Sequence, residues 1–171
     1  HRDAPMIAQA GELISKMLLA INKKKSLADS QEKIFEVAHS VEGAESEFHF
    51  SGDPQGLFIC DGFLFQRKHK HKLAGLEGDA PRFLFLFSDV MMMCRPIAGL
   101  KSWWRPTCWK FSLLKTIKLQ GKLASIERVP EFPNRFKLMG KDGSIIATFV
   151  VPEGGPDILS WIASFKKACA K

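Results

Sequence analysis

At 171 residues the chain has room for one ordinary domain with an appendage, or for two very small domains. Its 46% hydrophobic and 25% charged residues exclude wholesale disorder and a collagen-like chain; no uninterrupted apolar run approaches the ~20 residues of a membrane-spanning helix, so a soluble protein is expected. The net charge of +7 is unevenly divided: residues 1–52 hold six Lys/Arg against eight Asp/Glu and residues 53–171 nineteen against ten, so the second part is the one that attracts an anionic partner.

The sequence begins at His1 with no apolar signal segment, and reads as a piece of a longer cytoplasmic protein. From Met6 to Val41 the apolar positions fall at helical spacing, among them Ile7, Ile14, Met17, Leu18 and Ile21, then Ile34, Val37 and Val41. This is one long helix, or two joined near Asp29-Ser30-Gln31-Glu32, where a polar stretch with capping-box character could restart a helix. Such a stripe cannot be buried by the helix alone and calls for a helical partner.

After a polar linker, Gly43 to Gly56, short β runs separated by turn residues predict about seven strands. They are Leu57–Gln66, with an interruption at Asp61-Gly62, then Arg82–Phe87 and Val90–Cys94 joined across Ser88-Asp89, Trp109–Leu119, Ala124–Val129, and Arg135–Met139 and Ser144–Val151 joined by Gly140–Gly143. By count this is a β sandwich or barrel. A final helix follows, with Pro156 suited to its first position and Ile158, Trp161, Ile162, Phe165 and Cys169 along one face.

Cys60, Cys94, Cys108 and Cys169 form no C-x-x-C pair and are expected as reduced core thiols. The sequence carries no G-x-S-x-G, no G-x-x-x-x-G-K-[ST] and no H-E-x-x-H, so neither an active site nor a cofactor is expected. Met91-Met92-Met93 reads as packing on both faces of a strand.

Seven strands closed by an amphipathic helix resemble the pleckstrin-homology (PH) fold: mainly β, a seven-stranded sandwich or barrel capped by a C-terminal helix and here preceded by a long N-terminal helix. Asp61-Gly62-Phe63-Leu64 is similar to the family's first strand, Arg82–Met91 to its second strand and turn, and Trp161 to its helix tryptophan. The R-x-L-F-L-F-x-D form resembles PH domains that follow a Dbl-homology (DH) domain in Rho-family guanine nucleotide exchange factors. Ala10–Ile21, Asn22, the basic Lys23–Lys25 and Glu32–Gly43 are similar to the last DH helix. The resemblance implies a division into residues 1–43 (DH helix), 44–56 (linker) and 57–171 (PH domain). It also implies a Rho-family GTPase as partner of the parent protein, contacted by Asn22, and a peripheral place at the plasma membrane.

The densest basic run is Arg67-Lys68-His69-Lys70-His71-Lys72. With Arg82, residues Arg67, Lys68, Lys70 and Lys72 are the candidate contacts for anionic phospholipid, phosphoinositides included, since converging cations make charge-assisted bonds to phosphates. The tight-binding signature of the family is incomplete, because Gln66 and Ala80 stand where it has basic residues. His69 and His71 would share a strand face but lack a third ligand, so no metal is expected. Trp103 and Trp104 cannot both enter one core from a loop and are candidate membrane or protein contacts. A protein-interaction module on the same superfold, as in phosphotyrosine-binding domains, is the alternative; without a recognition helix or stacking motif, nucleic acid is not an expected partner.

Overall fold

The computed structural model describes residues 4–44, 56–67, 79–97, 111–119 and 123–169. One continuous helix, α1 (Ala4–Ser40), opens the chain, its 37 residues spanning roughly 55 Å at 1.5 Å per residue. The polar stretch at Asp29–Glu32 does not restart it, because Ser30 is used elsewhere. Its hydroxyl donates to the Ser26 carbonyl (2.7 Å) one turn back and accepts from the Phe58 N–H (3.1 Å) of the β part. Residues 4–29 are exposed, and nothing among the described residues covers the stripe of Ile7, Ile14, Met17, Leu18 and Ile21. Averaged over 18 residues, α1 reaches a mean hydropathy of 1.2, enough by length and composition to cross a bilayer. Counting uninterrupted runs misses this, because Glu12 and Lys16, an ion pair at 2.7 Å, break the run while the 18-residue average still stands at 1.2.

The strands are β1 (Val41–Glu42), β2 (Phe58–Arg67), β3 (Asp79–Phe87), β4 (Val90–Pro96), β5 (Phe111–Lys118), β6 (Leu123–Arg128), β7 (Arg135–Gly140) and β8 (Ile145–Val150). They form one sheet in the order β1-β5-β4-β3-β2-β8-β7-β6. The seven expected strands are β2 to β8. The eighth, β1, is parallel to β5, with Val41 opposite Phe111 and Glu42 opposite Ser112, and at two residues it is too short to show an alternation in sequence. Between β7 and β8, Gly143 has φ of 77°, a left-handed conformation that only glycine adopts freely. Asp142 accepts from both the hydroxyl (2.7 Å) and the N–H (3.0 Å) of Ser144 there, and these bonds hold its carboxyl below the usual range.

The sheet is covered on both faces, which is why β3 and β4 read as unbroken apolar runs. On the inner face Leu64, Leu84, Leu86, Met91, Met93, Phe136 and Phe149 pack against the helix α2 (Ile158–Cys169). That helix buries Ile158, Trp161, Ile162, Phe165 and Ala168. Cys169, expected on this face, is exposed, and Ala168 takes the place. The helix also starts two residues after Pro156: the Asp157 carbonyl accepts the first bond, from the Trp161 N–H at 3.3 Å. On the outer face Phe85, Phe87, Met92, Cys94 and Phe111 pack against Val37 and Val41 at the end of α1. The Cys94 thiol is pushed up to about 12 by burial there, which makes it an unreactive filler.

A bulge at Ile59 explains the interruption at Asp61-Gly62. Phe58 pairs with Phe87 but Cys60 with Leu86, so one extra residue resets the alternation. Asp61 then faces outward to α1, where its carboxylate meets Lys33 Nζ at 2.7 Å, while Gly62 faces inward under the Trp161 ring.

Candidate functional site

The inner face ends in a rim where β2 leads toward residue 68 and β3 arrives from residue 78. Period-2 alternation puts Gln66 on the side of Leu64 and Arg82 on the side of Leu84 and Leu86. The two side chains meet: Arg82 Nε donates to Gln66 Oε1 at 3.0 Å, and Arg82 Nη1 donates to the Pro81 carbonyl at 2.8 Å. Pro81, still opposite Phe65 of β2, lies beyond the last β3–β4 pair, Phe83–Cys94. Continuing that ladder by one step sets Arg95 of β4 opposite Arg82.

Arg82 is only 9% exposed. Burial, and then the charge of Arg95, lower its pKa, and Arg95 itself is exposed at the same rim. Among the described residues no carboxylate forms an ion pair with either. Burying a cation with neutral partners costs free energy that an approaching anion would offset, and a guanidinium fork suits the oxygens of a phosphate. Chemically the rim can bind an oxyanion; among the described residues it holds no nucleophile or acid–base pair for a reaction.

Of the sequence candidates, Arg82 lies in this rim. Arg67 ends β2 opposite Asp79 and by alternation belongs to the outer face, with Phe63 and Phe65. Lys68, Lys70 and Lys72, His69 and His71, and Trp103 and Trp104 lie outside the described residues. Asn22 is exposed on α1, an element that supplies none of the rim's residues. Arg95 was missed in the sequence, although it could have been found by counting across the hairpin, since positions 82 and 95 are symmetric about Ser88-Asp89.

A second constellation joins α1 to the sheet. Lys33 bridges Glu36 (2.8 Å) and Asp61 (2.7 Å) and lies 5.4 Å from the centroid of the Phe58 ring and 5.9 Å from that of Phe85. Burial alone would lower the Lys33 pKa, but the bonds and charges of Asp61 and Glu36 outweigh it, and the net shift is upward from 10.5. No sequence signal marked this pair.

No family model matches the sequence, and no curated protein matches it. Solved structures do. The DH/PH domains of p115-RhoGEF superimpose with a TM-score of 0.66 at 11% identity, over 96% of this chain and 48% of that one. The DH/PH fragment of PDZRHOGEF, in a structure with human RhoA, gives 0.60 at 13% identity, over 95% and 45%. A Vav1 exchange-factor structure described for its PH and C1 domains gives 0.59 at 15%, over 93% and 37%. This chain therefore spans less than half the length of each of these chains. A match over 96% of the chain takes in α1 together with the sheet. At such identities the likeness is one of fold: the chain has a PH-like fold set against a long helix, as in the DH/PH fragments of Rho exchange factors.

Proposed function

We propose that this chain is the PH module, with the final DH helix, of a Rho-family guanine nucleotide exchange factor. It would be non-catalytic by itself, bind anionic phospholipid weakly and modulate exchange by the adjoining DH domain. Residues 1–43 are read as the DH helix, 44–56 as the linker and 57–171 as the PH domain, acting in the cytoplasm and peripherally at the plasma membrane. The observation that carries the reading is the match of α1 and sheet together to DH/PH fragments, one of them in a structure with human RhoA. A peptide-binding module of the same superfold would not require α1. The GTPase contact is assigned to Asn22 by family resemblance, and one helix presenting one such residue cannot reshape a nucleotide site. GDP release from Rho-family GTPases is therefore expected to stay at its intrinsic rate with the 171-residue chain and to rise when the chain is tested within its longer parent. Robust exchange by the chain alone would overturn the assignment.

For the lipid contact the support is the rim of Arg82 and Arg95, with Arg67, Lys68, Lys70 and Lys72 supplying diffuse charge and Trp103 and Trp104 as further contacts. Sedimentation with anionic vesicles is expected to show weak binding, strongly reduced by salt and only mildly selective among phosphoinositides at matched charge. Neutralising Arg67, Lys68, Lys70 and Lys72 together removes most of it. Binding unchanged by that substitution would move the contact elsewhere, to the Arg82–Arg95 rim or to Trp103 and Trp104, the next residues to test.

A further inference from the structure

One N–H of the buried arginine at the rim is already taken by a side-chain oxygen. A guanidinium grips two oxygens along either of two planar edges, Nε with Nη2 or Nη1 with Nη2. In Arg82 each edge has one N–H taken by a protein oxygen, Nε by the Gln66 amide (3.0 Å) and Nη1 by the Pro81 carbonyl (2.8 Å). The Pro81 bond belongs to the backbone and is fixed. The Gln66 bond comes from a half-buried, neutral side chain at the end of β2, and that acceptor can be displaced.

We infer that Gln66 is an internal competitor at the Arg82–Arg95 rim, its amide oxygen holding the place of a phosphoryl oxygen and thereby setting how tightly the rim takes a phosphorylated inositol. The inference rests on the lipid-binding reading above and adds the residue that tunes it. Arg82 and Arg95 repel each other with no carboxylate between them among the described residues, so an entering anion gains from both cations. It must first break the Gln66 bond, and that cost keeps binding weak. Charge at position 66 orders the outcome. A carboxylate there would neutralise Arg82 from inside, an alanine would free the Nε–H, and a lysine would add a third cation beside two.

The test is a series at one position in the full chain, with melting curves confirming that each variant folds. Binding is measured to phosphatidylcholine vesicles carrying a small fraction of phosphatidylinositol bisphosphate, and to soluble inositol trisphosphate. Gln66→Ala is expected to tighten binding about tenfold, the worth of one charge-assisted hydrogen bond. Gln66→Lys tightens it at least as much, and Gln66→Glu weakens it about tenfold or more. The order Glu, Gln, Ala, Lys with both probes supports a site for the headgroup from either source; the same order on vesicles alone assigns it to membrane lipid. A flat series, or weaker binding by Gln66→Ala, overturns the inference, the second result meaning that the amide donates to the headgroup. Arg95→Gln and Arg82→Ala separate this from failure of the underlying reading. If they lose vesicle binding while the Gln66 series is flat, lipid binding stands and the competitor role falls; if Arg95→Gln also binds like wild type, the rim is not the lipid contact.

Discussion

Trp161→Ala is expected to lower stability by about 3–5 kcal/mol, because it empties the largest slot between α2 and the sheet. The ring is 2% exposed, stacks near Phe165 (centroids 6.1 Å apart) and closes over Gly62 so tightly that a Cβ there would meet its Cζ2 at 2.9 Å. A Cβ at that distance forces the indole to move, so Gly62→Val should be almost as damaging, through overpacking of the same slot. In the double variant the valine fills part of the hole left by the indole, and the combined loss falls clearly below the sum of the two. Urea unfolding of the four proteins checks this cycle; additive losses would mean that position 62 and the ring are independent. Because the indole N–H meets no protein acceptor among the described residues, Trp161→Phe should cost less than Trp161→Ala.

The second large effect is at the junction between α1 and the sheet. Ser30→Ala leaves the Phe58 N–H without its acceptor, and Lys33→Ala leaves Asp61 without its cation; each is expected to cost about 1–3 kcal/mol. The effect should be local. Spin labels on the exposed part of α1 and on β7 should show a broadened distance distribution, while the near-ultraviolet circular dichroism of the aromatic core stays native. Reversing the pair as Lys33→Asp with Asp61→Lys should recover part of the loss, which a purely steric role for Lys33 would not allow. The pH dependence follows from the raised Lys33 pKa. A group whose pKa is higher in the folded state contributes fully below its unfolded value of 10.5 and loses that contribution as pH rises through the folded value. Wild type should therefore loosen at the junction above about pH 10.5, with no such step in Lys33→Ala.

Most of the architecture was legible because each strand is buried on a predictable face. Arg82–Phe87 and Met91–Met93 announce a sheet covered on both sides, and Trp161 with Phe165 announces the helix that covers one of them. The boundaries moved where pairing, not side-chain character, decides: β3 starts at Asp79 and passes through Pro81, since a partner strand carries it past the apolar run. The start of α2 at Ile158 was not legible from Pro156, because the Asp157 carbonyl makes the first turn. The rim was half legible. Arg82 could be named from the resemblance, but its bond to Gln66 depends on which face each strand end presents at its last two residues, and Arg95 needed the hairpin register. The Ser30 and Lys33 contacts had no local signature, since both residues are ordinary on a solvated helix and gain their roles from a strand some thirty positions away.

The passage from α1 into β1 without any intervening coil has a mechanical meaning. Residues 4–29 stand clear of the sheet as a rod of roughly 39 Å at 1.5 Å per residue, clamped at one end by Ser30, Lys33 and Val37 and by the Val41–Phe111 pairing. A rod of that length converts a rotation of one degree at the clamp into a displacement of roughly 0.7 Å at its tip. The stiffness of four residues at the clamp, more than anything along the rod, thus sets how faithfully the sheet's orientation is passed to whatever packs on Ile14, Met17 and Ile21. Any bound surface that tilts the sheet by ten degrees would move the far end of α1 by more than a full helical turn's rise of about 5.4 Å.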